Sequence, residues 1–68
     1  MTTYIIQYRS SPNDSWINYV DMYNFNVEFV TKSGAIQVAQ DFFINNDNSC
    51  FRYAQVINSH GKVVFTGF

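Results

Sequence analysis

The sequence predicts a small α+β domain: an antiparallel sheet of four or five strands with one helix packed on one face, in the order strand, strand, helix, strand, strand. Three observations lead there. Aromatic and β-branched residues alternate with polar ones in short runs near both ends of the chain. Apolar residues recur at spacings of three and four over one central stretch only. Turn-forming residues gather between these runs. With 68 residues, the chain has room for a single domain spanning 1–68.

The first strand is expected at Thr3–Arg9, with Tyr4, Ile6 and Tyr8 on one side and Ile5, Gln7 and Arg9 on the other. "SSPNDS" (10–15) has the composition of a turn, and Trp16–Val20 reads as the returning strand of a hairpin. Asp21 and Met22 interrupt the pattern before "YNFNVEF" (Tyr23–Phe29) resumes it. One long strand bent at a bulge is favoured here over two short ones, with Phe25, Val27 and Phe29 assigned mainly to the core.

Thr31 is a plausible N-cap, with Ser33 competing. Beyond it, Ala35, Ile36, Ala39, Phe42 and Phe43 line one side of a helix of about fifteen residues, roughly 22 Å long. The polar run Asn45–Ser49 ends it. "CFRYAQVIN" (50–58) and "KVVFTGF" (62–68) read as strands joined by a tight turn at Asn58–Gly61, where Gly61 can take a positive φ. Bulky residues occur on both sides of these strands: Phe51, Tyr53 and Ile57 oppose Ala54 and Val56, and Val63 and Phe65 oppose Val64. One helix covers one side, so the other must face water, a second subunit or a target.

Composition narrows the function classes. Four cations against five carboxylates leave a net charge of −1 and no basic stripe, which disfavours phosphate neutralisation and an acidic DNA mimic alike. Cys50 is alone, so no internal disulfide forms, and His60 with one cysteine does not complete a zinc site. Neither residue sits in a nucleophile or general-base motif, and no carboxylates form a motif-defined pair. No catalytic residue, metal or cofactor is therefore assigned. "MTTYIIQYR" has no basic n-region and no long apolar run. A soluble cytoplasmic protein without a membrane partner is expected.

The segments "FVTKSGAIQVAQDFFINN" and "RYAQVINSHGKVVFTG", spanning roughly Phe29–Gly67, resemble small proteins of phages and mobile elements. In those proteins an aromatic-x-Thr cap opens a helix and a hairpin with a polar-x-x-Gly-Lys turn follows it. The resemblance implies an accessory protein of the kind that includes anti-CRISPR and other anti-defence inhibitors, acting in the bacterial host cytoplasm. Thirteen aromatic rings (seven Phe, five Tyr, one Trp) exceed what one helix face needs, and exposed Tyr and Trp make good contact surfaces. The partner-binding residues expected on these grounds are Trp16, Tyr19, Arg52 and Tyr53. The functional expectation is a non-enzymatic, phage-encoded inhibitor that sterically blocks a host defence complex, with a homodimer as a possible state. The alternative is a small nucleic-acid-binding regulator that stacks bases on the sheet aromatics.

Overall fold

Four strands pair edge to edge in the order β2-β1-β3-β4, with every neighbour antiparallel. They are β1 (Tyr4–Arg9), β2 (Ile17–Asn18), β3 (Tyr53–Asn58) and β4 (Val63–Gly67). This computed structural model describes residues 2–46, 51 and 53–67. Between the hairpins, helix α1 (Lys32–Ala39) runs into a π-helical turn (Gln40–Ile44). The helical segment lies across β1 and β3. The fold is thus the small α+β arrangement expected, with four strands.

Thr31 starts the helix. Its extended backbone precedes α1, and its Oγ1 accepts from the Gly34 amide at 3.1 Å, satisfying one amide that has no partner inside the helix. The same contact explains Gly34, because a Cβ there would stand 2.8 Å from that hydroxyl. One turn apart, Ala35 and Ala39 are fully buried. Lacking bulk, they let the helix backbone settle onto Ile6 and Val56, which face each other across β1 and β3 and are also fully buried.

Phe43 extends this line because of the π-helical turn. Positions i, i+4 and i+8 of a regular α-helix drift by about 40° per step, and the wider turn over Gln40–Ile44 takes up part of that drift. Phe43 is buried, with its ring stacked on Tyr8 at 4.7 Å and Tyr19 edge-on at 5.8 Å. Phe42, expected on the same side, is instead more than half exposed. Phe51 also closes this end of the core, T-shaped against Tyr8 at 5.0 Å. It lies outside β3, so strand alternation does not group it with Tyr53 and Ile57.

Four further expectations are corrected. Tyr23–Phe29 is not a strand: the chain reverses at Asp21–Phe25, and its ladder pairing is limited to isolated bridges between Val20 and Asn26 and between Tyr4 and Phe29. The expected strand at Trp16–Val20 keeps a regular ladder only at Ile17–Asn18. Phe25, assigned to the core, is exposed, whereas Phe29 packs against the core. On β4, a register shift makes Phe65 pair with Val56 and Val63 with Ile57. An inserted residue flips the alternation, so Val63 and Phe65 lie on opposite faces.

The Ala39 seat supports a direct test. Ala39→Asp buries an unpaired carboxylate at a cost of several kcal/mol, against the roughly 3–10 kcal/mol of total stability typical of a chain this size. Loss of the cooperative melt by circular dichroism is expected, and a melting temperature within a few degrees of the parent would remove Ala39 from the core.

Candidate functional site

Asp21 organises a loop that the core does not use. Its Oδ1 accepts from the amides of Tyr23 (2.8 Å) and Phe25 (3.1 Å), its own amide donates to the Phe25 carbonyl (2.9 Å), and its carbonyl accepts from the Asn24 amide (3.1 Å). Asn24 adopts φ 66°, a left-handed conformation that Asn tolerates better than most residues. Four strand-like bonds close the base of the loop. Tyr19 donates to the Ile6 carbonyl and accepts from the Val27 amide, and Phe29 exchanges both backbone bonds with Tyr4. The tip carries Met22, Tyr23 and Phe25, exposed to 85%, 72% and 71%. Fixed backbone and exposed apolar side chains occur in the same five residues.

The sheet face away from the helix is built in three rows, because directly paired residues project to the same side. At one end Ile5, Ile57 and Val63 align. Across the middle run Asn18, Gln7, Gln55 and Thr66. Gln7 Nε2 donates to Asn18 Oδ1 at 2.8 Å, and Gln55 Nε2 donates to Gln7 Oε1 at 2.7 Å. That chain of amides accounts for Gln55, a buried polar side chain that would be costly without a partner. The sequence leaves this face to water, a second subunit or a target, and its centre is polar.

The third row is Arg9 beside Tyr53, with Trp16 preceding β2. The Arg9 guanidinium carbon lies 4.1 Å from the centroid of the Trp16 ring, a cation–π contact. Arg9 Nη1 donates to the Asp14 carbonyl at 3.3 Å, while the Asp14 carboxylate accepts from Ser10 Oγ. The buried Arg9 Nε has no hydrogen-bond partner among the described residues. Arg9, Pro12, Trp16, Tyr53, Thr66 and Gly67 together line a pocket of about 270 Å³.

Of the four residues expected to bind a partner, Trp16 and Tyr53 meet in this pocket. Tyr19 is on the helix side, against Phe42 and Phe43. Arg52 lies outside the described residues, as does Cys50. His60 occupies the β3–β4 turn, where its amide and that of Lys62 both donate to Asn58 Oδ1 at 3.0 Å. Two features escaped the sequence reading: Arg9, and the exposed tip at Met22, Tyr23 and Phe25. "DMYN" contained the signal for the second, since Asp opens Asx-type turns and Asn accepts a positive φ.

Among the described residues no three His, Cys, Asp or Glu side chains cluster to hold a metal, and no helix is long and apolar enough to cross a membrane. No family model, curated protein or solved structure matches this chain.

The loop is testable by thermodynamics. Asp21→Ala deletes both side-chain acceptor bonds and is expected to lower stability by about 1–2 kcal/mol, read as a shifted urea midpoint with an unchanged slope. An unaltered midpoint would mean that the turn does not depend on Asp21.

Proposed function

We propose that this chain is a non-enzymatic binding protein that inhibits a host protein complex by occupying one of its functional surfaces. The observation that carries this reading is the Asp21–Phe25 loop, which holds three large apolar side chains in solvent on a hydrogen-bonded backbone. Fully burying a Phe or a Met is worth about 1.5–3 kcal/mol each, a gain that the fold leaves unused at Met22 and Phe25. A partner with an apolar recess would realise it, and the pre-set loop would lose little conformational entropy on docking. The mechanism is steric: the tip anchors, and the body of the domain blocks access or assembly.

The class of target is carried separately, by the resemblance of Phe29–Gly67 to small phage and mobile-element proteins. It makes a bacterial defence complex, such as a CRISPR effector, the target of choice, with phage origin and action in the host cytoplasm following from the same reading. A second reading is a nucleic-acid-binding regulator. It is favoured by one observation, the placement of Trp16 and Tyr53 on the open sheet face beside a row of amides.

Expression of the chain in a bacterium immunised by its own CRISPR system is expected to restore plaquing of the targeted phage. Tyr23→Ser with Phe25→Ser should abolish that effect while leaving the melting temperature of the purified protein unchanged. Equal inhibition by the folded double variant would take the loop out of the mechanism. Tight binding to single-stranded oligonucleotides that collapses with added salt would favour the second reading.

A further inference from the structure

We infer that the pocket at the Arg9 end of the open face is a recognition site for a carboxylate, presented by an acidic side chain of a protein partner. Arg9 is the centre of the case. A guanidinium has five N–H donors, and among the described residues one donation is made, a long one to the Asp14 carbonyl. Its Nε is buried without a hydrogen-bond partner among the described residues, so a ligand in the pocket meets the terminal Nη1 and Nη2 groups. Among the described residues no carboxylate forms an ion pair with it: Asp14, the nearest in sequence, bonds Ser10 Oγ instead.

The surroundings sharpen the choice of ligand. Trp16 stacks with the guanidinium and limits its orientations. Pro12, Tyr53 and Gly67 give the pocket apolar walls, and Thr66 adds a hydroxyl. Such a wall lowers the local dielectric, so a charge-assisted pair inside is stronger than one on an open surface. A pocket of about 270 Å³ lies below the roughly 300–1,000 Å³ usual for whole small-molecule ligands, and suits one or two side chains. A single planar cation with apolar neighbours fits a planar carboxylate on an aliphatic stem, the chemistry of Glu or Asp. A polyanionic backbone would call for several cations, and the described rim has one. This site lies at the opposite end of β1 from the Asp21–Phe25 loop, and only the source of the carboxylate, a protein, rests on the function proposed above.

Trp16 is the single tryptophan of the chain, so its emission reports on the pocket directly. Titrating the full chain with acetyl-Leu-Glu-amide at constant ionic strength is expected to change Trp16 emission saturably. The neutral isostere acetyl-Leu-Gln-amide should bind about tenfold more weakly or worse, as loss of a charge-assisted pair implies. Arg9→Gln should erase the difference between the two peptides, and Arg9→Lys, which keeps the charge and loses the fork, should restore it in part. Equal responses to both peptides in the parent chain overturn the inference without any variant. A stronger saturable response to inorganic phosphate overturns it in favour of a nucleic-acid backbone. Loss of phage inhibition in the loop variant alone, with peptide binding intact, separates failure of this site from failure of the loop.

Discussion

Everything in this domain depends on how closely one short helical segment sits on the sheet. Ala35 and Ala39 supply that closeness, and Ile6 with Val56 fills the space beneath them. A segment of this length covers β1 and β3 and little more. Aromatic rings must then seal the end of the core, which Tyr8, Tyr19, Phe43 and Phe51 do by stacked and edge-on contacts. The opposite sheet face is left to other chemistry, and the chain fills its centre with amides bonded to one another.

This division separates stability from recognition. The helix side holds the buried apolar side chains, whereas the loop tip and the Arg9 pocket hold groups that folding does not satisfy. Apolar area at Met22, Tyr23 and Phe25 remains in water, and the Arg9 guanidinium makes one long hydrogen bond among the described residues. A partner of matching chemistry would bury the first and bond the terminal N–H groups of the second. Their location at opposite ends of β1 lets one partner be gripped at two points about six residues of strand apart, or two partners be joined.

Local rules made much of the fold readable. Thr31 as cap, Ala35 and Ala39 as the seat and the Asn58–Gly61 turn all follow from spacing and residue type over a few positions. The misplacements arose where one local event resets the pattern downstream. A π-helical turn separates Phe42 from Phe43; an inserted residue in β4 separates Val63 from Phe65; and the side chain of Asp21 converts an alternating run into a reversal, sending Phe25 outward. Alternation over Tyr23–Phe29 describes a strand and a folded-back loop equally well. The pocket lay further from reach, because Arg9, Trp16, Tyr53 and Thr66 come together only through the register of four strands. Trp16 and Tyr53 were identifiable by residue type, but Arg9 resembled any polar member of an edge row.

The core uses one sheet face and leaves the Asp21–Phe25 tip outside it. Solution NMR with a soluble paramagnetic probe tests this on the intact chain, since relaxation enhancement reports solvent access methyl by methyl. Strong enhancement at the Met22 methyl, with little at the methyls of Ile6, Ala35, Ala39 and Val56, is the result predicted. A shielded Met22 methyl showing cross-peaks to Ile6 or Val56 would contradict it, because the loop would then belong to the core.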